Sequence, residues 1–403
     1  MSHTPQKHRV RRIVFITIGA VAGVLGLGLG AILIVGGVFV PATYLQPWNV
    51  TYYQQSTDAR MQVVAHAVLA PSGHNMQPWN VVLDTADASV LYLYADPSRL
   101  TPAVDPDSRQ TVVSQGAFLA YLRVAAEELG YSASFELFPD GSYDETDLKK
   151  SMSQRPVARV TLAKDPSVAT EDYSSLFISD TNRAPYTAAP LTRAQTEALT
   201  ALADNSAARL SILSDKQDMT TLGAFGVEGT LIETQYPAAT AESAAVFHGT
   251  EQAKNEARSG FAVEGQGTTG FKKYFLQGLI TAFPALNDDT AGARNAIALT
   301  DAGVHNTAAY GLISTPANTR TEQVEAGILY AQFSLHARTL GLVMQPLSQV
   351  LQEYPTMAVP YAAIHAEYAP EGQTIQMLVR VGTPTIEYPV SMRRDVTSLL
   401  RTP

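Results

Sequence analysis

The sequence predicts an α+β fold in which two similar halves follow one another, preceded by one transmembrane helix. Three observations lead to this prediction: an uncharged apolar stretch near the N-terminus, a set of residues that recurs at a fixed separation, and strand-like runs after the recurring segment in each copy. The chain has 403 residues, of which 46% are hydrophobic and 16% charged, so it can form more than one sizeable core.

Charge and cysteine content exclude several classes of function. Acidic residues outnumber basic ones by 37 to 28, and the formal net charge is −9. Nucleic acid is therefore not an expected partner, because binding to phosphates needs a basic surface. The chain contains no cysteine, which rules out disulfides, iron–sulfur clusters and thiol nucleophiles. No His-Glu-x-x-His or EF-hand pattern supports a metal site.

The first predicted element is a transmembrane helix at residues 13–40. This stretch carries no charge and is longer than the about 20 apolar residues that cross a bilayer. The basic tail at residues 1–12 indicates a cytoplasmic N-terminus and an extracytoplasmic main body. We therefore expect a single-pass protein of the cell membrane. A cleaved signal peptide is the alternative, although its apolar core is usually only roughly 7–15 residues long.

An uncharged linker at 41–57 precedes the two halves, which we place at 58–172 and 173–403. Five residues of the first half recur as the same residue types 211 positions later. The pairs are Gly116 and Gly327, Ala120 and Ala331, Ala126 and Ala337, Leu129 and Leu340, and Gly130 and Gly341. Arg109 and Arg320 have the same separation, which favours a structural role shared by both halves.

Each recurring set belongs to a segment with apolar residues at helical spacing, at about 115–129 and 324–340, which ends in Leu-Gly. Strand-like runs follow at 135–138 and 156–162 in the first half and at 374–381 in the second. This repetition predicts an α+β fold whose halves face each other. Their junction forms a cleft, and clefts of this kind commonly bind ligands.

The second half also contains an insertion, which we place around 235–285. Helices predicted at 59–70 and 193–204 also resemble each other, but they are only about 134 residues apart. The later recurring segments are 211 residues apart, so the second half must contain extra residues between its first helix and its recurring segment. An insertion of this length is usually functional or disordered. Two interpretations stay open, a surface decoration and a lid over a site between the halves.

The most informative motif is the run Ala70–Trp79, which precedes a predicted strand at 80–84. Several of its residues can approach or hydrogen-bond a planar polar ligand, namely Ser72, Gly73, His74, Asn75 and Gln77. An ordinary turn is the alternative, because Pro, Gly and Asn favour turns irrespective of function. His74 is either a hydrogen-bond or proton donor to the ligand or a structural histidine.

Two arginine motifs are candidates for binding a phosphate group. Thr181, Asn182 and Arg183 combine hydroxyl and amide groups with a guanidinium that fits phosphate oxygens. Arg393 and Arg394 form the second motif, near the C-terminus. The alternatives are a helix cap for the first motif and a solvated pair for the second, since exposed charges usually contribute little.

Taken together, these motifs resemble the FMN-dependent nitroreductase family, specifically its Acg-like branch, whose members hold two nitroreductase-like halves in one chain. The run Ser72–Trp79 is similar to the family's Ser-x-x-Asn-x-Gln-Pro-Trp loop, which approaches the flavin. The resemblance spans about residues 58–400. It implies that Thr181, Asn182 and Arg183 hold the ribityl chain and phosphate from the other half.

The resemblance also implies roles for two further segments. Residues 341–348 are similar to the segment that lies against the flavin ring, which makes Gln345, Pro346, Leu347 and Ser348 cofactor-binding residues. Arg393, or alternatively Arg394, matches the C-terminal phosphate-binding position. No catalytic residue of the protein is assigned, because the chemistry belongs to the cofactor.

The implied function is that of a membrane-anchored, FMN-binding oxidoreductase that reduces a nitro, quinone or similar acceptor by two electrons, with an unidentified electron donor. The arginine motif is missing from the first half and the Gln-Pro-Trp loop from the second. We therefore expect one FMN per chain and a monomeric pseudo-dimer. The first alternative is an FMN-sequestering protein, favoured by the insertion and by the expected external location. The second is a flavin-free binding module.

Overall fold

The computed structural model describes residues 5–287 and 289–401, and this part of the chain contains two four-stranded antiparallel sheets. The first sheet consists of β1 (Trp79–Leu83), β2 (Val90–Ala95), β3 (Tyr131–Leu137) and β4 (Ala158–Lys164). Its spatial order is β1-β2-β4-β3. Alternate residues of these strands face a core that includes Trp79, Leu91 and Val160.

The second sheet repeats this order. Its strands are β5 (Arg209–Leu213), β6 (Ala309–Thr315), β7 (Val343–Pro346) and β8 (Thr374–Gly382). They lie side by side as β5-β6-β8-β7, all antiparallel. Each strand of the second sheet therefore has the same position in its sheet as the strand four numbers lower has in the first sheet. The α+β class predicted from the sequence is confirmed, and the predicted strand at 135–138 extends to Tyr131.

Two helices of 20 residues each, α3 (Arg109–Glu128) and α11 (Arg320–Thr339), have corresponding positions in the chain. Helix α3 lies between β2 and β3, and α11 lies between β6 and β7. Asp105 accepts hydrogen bonds from the backbone amides of Gln110 and Thr111 at the start of α3. Thr319 and Glu322 form a capping box at the start of α11. Both helices are followed by a glycine with positive φ. They begin earlier than the predicted 115 and 324 because these side-chain caps lie upstream of the apolar pattern.

Helices α3 and α11 cross where Gly116 meets Gly327. A β-carbon on Gly116 would lie 2.0 Å from the carbonyl oxygen of Val324, and one on Gly327 would lie 1.9 Å from that of Val113. The recurring glycines therefore allow two helix backbones to touch. Residues of both helices, such as Phe118 and Leu335, share one hydrophobic core.

The recurring arginines reach across this contact in both directions. Arg109 donates to the carbonyl oxygen of Leu351 at 2.6 Å and pairs with Glu353 at 2.9 Å. Arg320 pairs with Glu145 of the first sheet's segment at 2.6 Å. Both arginines are buried, which supports the shared structural role predicted from their spacing.

Shorter helices complete the two sheet regions. They are α2 (Ala59–Ala67) and α4 (Leu148–Gln154) in the first, and α5 (Arg193–Ala201) and α12 (Ala358–Tyr368) in the second. Asp58 caps α2, and a Thr192–Gln195 capping box begins α5.

The predicted transmembrane helix at 13–40 is wrong. Within residues 5–287 and 289–401, no helix combines the length and apolar character needed to cross a bilayer. The N-terminal helix, α1 (Pro5–Val35), begins within the basic tail and ends before the apolar stretch does. Gly37, with φ of +86°, turns the chain away. The uncharged stretch is not one continuous span, because its last residues leave the helix after Val35 and pack on the insertion.

The insertion predicted around 235–285 lies within the long connection between β5 and β6. The connection from β1 to β2 is a short turn, whereas the connection from β5 to β6 contains a series of helices. They are α6 (Lys216–Gln235), α7 (Pro237–Ala245), α8 (Glu251–Ala257), α9 (Gly270–Ala282) and α10 (Asp289–Val304). The backbone of α9 touches the end of α1. A β-carbon added to Gly278 would lie only 1.9 Å from the carbonyl oxygen of Ile32.

We predict that Gly116→Ala destabilises the protein by about 1–3 kcal/mol, because the added methyl group forces α3 and α11 apart. The change is measured as a lower urea midpoint. Gly28→Ala on α1 is the matched control, since a β-carbon there meets nothing within 4 Å. Equal midpoints for Gly116→Ala and the wild type would contradict the close contact.

Candidate functional site

A cavity of about 500 Å³ lies among the two central helices, β7 and the insertion. Its walls include the predicted site residues Ser72, Gly73, His74, Thr181, Arg183, Gln345, Pro346 and Ser348. A smaller cavity of about 110 Å³ shares several of these residues and is also lined by Asn75 and Ser391. The fold thus brings together three motifs that are far apart in the sequence.

The loop at 72–79 is held in an unusual backbone conformation. His74, Asn75 and Gln77 all have φ near +50°, a region that non-glycine residues rarely adopt. Hydrogen bonds hold the loop there: Ser72 Oγ accepts from the Gln77 amide at 2.9 Å, and Ser114 Oγ of α3 accepts from the Gly73 amide at 3.2 Å. Such strain persists only where the surroundings over-determine it, and it often marks functional loops.

Within this loop, the side chains of Asn75 and Gln77 form hydrogen bonds mainly with other groups of the protein. Asn75 Nδ2 donates to the Gly260 carbonyl at 3.1 Å, and Asn75 Oδ1 accepts from Arg393 at 3.0 Å. Gln77 is fully buried, and its Oε1 accepts from the Arg394 amide at 2.7 Å. Asn75 still lines the smaller cavity, whereas Gln77 lines neither and shapes the loop.

His74 faces the insertion. Its Nε2 lies 3.2 Å from Ser243 Oγ, and its ring centroid lies 4.9 Å from that of Phe261. Burial lowers the pKa of His74 to about 4, because the charged imidazolium is poorly solvated there. The imidazole is therefore neutral at pH 7 and can exchange a hydrogen bond with a ligand or with Ser243.

The second motif contributes Thr181 and Arg183 to both cavities. Arg183 donates to the carbonyl of Gly265 in the insertion at 3.2 Å and forms no ion pair among the described residues. Its guanidinium therefore keeps unused donors at the cavity wall. Asn182 is turned away: its side chain bonds the Ile386 carbonyl and the Ala184 amide, so it positions its neighbours.

The third segment presents Gln345, Pro346 and Ser348 to the larger cavity. Gln345 Oε1 accepts from Arg380 Nε at 2.7 Å, which fixes the amide so that Nε2 is left without a protein partner in the described chain. Gln345 can thus donate a hydrogen bond to a ligand. Leu347, which directly follows β7, instead belongs to a hydrophobic core with Val350 and Leu378 and is only 1% exposed.

The C-terminal arginines do not line either cavity. Arg393 is fully buried and donates to the Leu69 carbonyl at 2.9 Å and to Asp180 at 3.3 Å. Arg394 donates to the carbonyls of Gln77 and Trp79 at 2.9 and 2.8 Å. The phosphate contact of these two residues stays a prediction. Arg393 supports the strained loop through Asn75 Oδ1 at 3.0 Å, and Arg394 supports it through the Gln77 carbonyl. The Nε of Arg393 is buried without a hydrogen-bond partner in the described chain.

Several lining residues lie outside the sequence motifs. Tyr330 of α11 is 4% exposed, lines the larger cavity, and its hydroxyl has no hydrogen-bond partner among the described residues. Burial raises the pKa of this hydroxyl, so it stays protonated and can donate. Glu233 of α6 and Phe261 of the insertion line the same cavity. No local pattern distinguishes these residues from ordinary helix or loop residues.

The insertion is anchored by a buried charged cluster. Lys254, fully buried, lies 2.6 Å from Glu251 and 2.5 Å from Glu264, and Lys273 lies 2.8 Å from Glu251. Tyr44, which precedes the first sheet, donates to Glu251 at 3.0 Å. The lysine ammonium groups lower the pKa of Glu251 against the opposing effect of its burial. These contacts fix the insertion against the cavity and against the N-terminal segment.

Comparison with known proteins finds sequence relatives over part of the chain. No protein-family model matches the chain. An uncharacterised protein of Mycobacterium tuberculosis H37Rv is 28% identical over 152 residues, which is 38% of this chain and 42% of that protein. A protein of the same strain, provisionally named NAD(P)H nitroreductase acg, is 35% identical over 85 residues, 21% of this chain and 25% of its own length. The aligned segments thus span less than half of these relatives.

Solved nitroreductases are also similar. The FMN-dependent nitroreductase NfnB from Mycobacterium smegmatis, in complex with NADPH, is 14% identical; the match covers 55% of this chain and 93% of NfnB, with a TM-score of 0.32. A nitroreductase with bound FMN from Desulfitobacterium hafniense is 13% identical, with coverages of 56% and 96% and the same TM-score of 0.32. The named sequence relatives confirm the predicted resemblance to acg-type nitroreductases.

We predict that the His74 imidazole titrates near pH 4 by NMR. The imidazole of an unfolded chain titrates near 6.5. The unfolded state therefore takes up this proton first, so the free energy of unfolding falls as the pH decreases from 6.5 to 4. His74→Gln should remove this part of the acid sensitivity, whereas His305→Gln, at an exposed residue just after α10, should not. A His74 midpoint near 6.5 would show that the ring is solvated.

Proposed function

We propose that the protein is an FMN-binding oxidoreductase of the nitroreductase type. The observation that carries this proposal is the shared cavity, which unites the loop residues Ser72 and His74 with Arg183 and with the segment that starts at Gln345. These are the motifs that resemble the nitroreductase flavin site. When bound, FMN would supply two-electron reduction of a nitro, quinone or similar acceptor.

The residues present fit such a cofactor. An FMN phosphate needs a cation, and Arg183 has free donors beside the polar walls of the smaller cavity, including Ser391. A flat ring needs apolar walls with a few donors. In the larger cavity Pro346 and Val113 supply apolar surface, and Gln345 supplies a donor amide. Arg393 would act indirectly, by holding Asn75 and Asp180.

We also propose that the chain is a pseudo-dimer with one flavin site. In support, the two sheets have the same strand order and their central helices pack through equivalent glycines. The strained loop follows α2 of the first region, whereas Arg183 and Gln345 belong to the second. Each region would thus contribute a different portion of one site, and a monomer would suffice. NfnB was solved with NADPH, so a nicotinamide donor is our first candidate for the reductant.

A second candidate function, FMN sequestration, is favoured by the closed insertion. Ser243 and Phe261 contact His74, and the Gly265 carbonyl accepts from Arg183. The Gly260 carbonyl accepts from Asn75. The insertion therefore covers the groups that would hold the flavin. A protein of this design would bind FMN tightly and keep reductant away from the ring.

We predict that purified protein contains one FMN per chain, measured by absorbance of the flavin released on denaturation. Arg183→Ala should weaken FMN binding by about 10-fold or more, because a charge-assisted contact to phosphate is lost. Arg193→Ala, at an exposed arginine of α5, is the matched control. Two flavins per chain would refute the single complementary site, and a flavin-free protein that binds no added FMN would refute the proposal.

Anaerobic NADPH distinguishes turnover from sequestration. We predict bleaching of the flavin absorbance in the wild type if the protein is a reductase. If the insertion excludes the reductant, the wild-type flavin stays oxidised, and Phe261→Ala becomes reducible because the ring packed on His74 is removed. Phe271→Ala is the control, since Phe271 belongs to the same insertion but is 60% exposed.

A further inference from the structure

The larger cavity has a second polar region, distinct from the one around Arg183. Glu233 of α6 lines the cavity together with Thr230, Thr300, Gln349 and Gln352, and we call these five residues the Glu233 pocket. Thr230 and Thr300 are buried and lie 3.2 Å apart through their hydroxyl oxygens. None of the five belongs to the motifs that resemble the flavin site.

The Glu233 carboxylate fixes the direction of the Gln352 amide. Its Oε1 accepts from Gln352 Nε2 at 3.1 Å. Because a carboxylate only accepts, the Gln352 amide must turn its NH₂ group towards it. Gln349 lines the same part of the cavity. The side-chain carbonyl oxygens of both glutamines are buried without a hydrogen-bond partner in the described chain. A buried acceptor without a donor costs about 1–3 kcal/mol.

The Glu233 pocket therefore has more hydrogen-bond acceptors than donors. No cationic side chain of the described residues neutralises its carboxylate. Glu233 forms no ion pair with a described residue, and burial raises the pKa of its carboxyl group while the hydrogen bond from Gln352 opposes that rise. The hydrogen bond from Gln352 leaves part of the carboxylate's acceptor capacity unused. A ligand group that carries N–H donors and a positive charge would complement this pocket.

Apolar residues surround this polar group. The cavity wall beside the Glu233 pocket is formed by Ala239, Phe247, Ala293, Ala296, Leu299 and Met377. Such a surface accommodates an aromatic or aliphatic body but offers it no hydrogen bonds. Ligand recognition there would therefore depend on Glu233 and its two glutamines.

We propose that the Glu233 pocket binds a cationic nitrogen group, an ammonium or amidinium, carried on an apolar body. This inference rests on the proposed function and narrows its substrate class: the ligand that shares the cavity with the flavin is an organic cation. Anionic molecules of the same shape are rejected, because they would bring a second negative charge against Glu233.

The test uses three probes of nearly equal shape, benzamidine, benzamide and benzoate, titrated calorimetrically into the full-length protein. We expect benzamidine to bind about 10-fold or more tightly than benzamide, and benzoate not to bind measurably. Glu233→Gln should weaken benzamidine by about 10-fold or more and change benzamide by less than about 3-fold. Glu228→Gln, at an exposed residue of the same helix, is the matched control and should change neither.

Equal affinities of benzamidine and benzoate, or unchanged benzamidine affinity in Glu233→Gln, would overturn the proposal. If Glu233→Gln does not fold, Ala296→Leu provides the second variant, because it narrows the apolar wall and should weaken benzamidine. Flavin content is read by absorbance on the same samples. Protein that binds no added FMN but still prefers benzamidine contradicts only the proposed function, and flavin-loaded protein without this preference contradicts only the cation pocket.

Discussion

The contact between α3 and α11 at Gly116 and Gly327 is the constraint on which the rest of the structure depends. Two backbones approach so closely there that neither position has space for a methyl group. The contact brings the two sheet regions together and merges their side chains into a common core. It also sets the distance between the loop at 72–79 and the segment at 345–348, since each is attached to one of these helices.

The second determinant is the long β5–β6 connection. In the first sheet a short turn suffices, so the helices α6 to α10 are additional to the repeated unit. Helices α6, α7 and α10 form a wall of the larger cavity, and the charged cluster around Lys254 of α8 ties the insertion to Tyr44. A buried cluster of this kind is not necessarily stabilising, but removing one member leaves an unpaired charge. The wall is therefore held in one arrangement, in contact with both His74 and Arg183.

Charge in the cavity is divided between its walls. Arg183 has free donors near the smaller cavity, whereas Glu233 has free acceptors on α6. The two C-terminal arginines, which their motif suggested for phosphate binding, instead form hydrogen bonds within the protein. A buried guanidinium needs several acceptors at once. Arg394 finds two of them in the carbonyls of Gln77 and Trp79. These arginines stabilise the site without touching its cavity.

The sequence by itself determined the repeated helices, four of the eight strands of the described chain, the loop at 72–79 and the arginine at 183, because each has a local signature of spacing, composition or turn residues. The tertiary structure decided which motif residues reach the cavity: Gln77, Asn182, Leu347, Arg393 and Arg394 face the protein instead. It also ended the N-terminal helix at Val35 against α9 and brought Tyr330, Phe261 and Glu233 into the site. Side-chain direction and packing between distant segments decide such placements, and a local pattern carries no information about either.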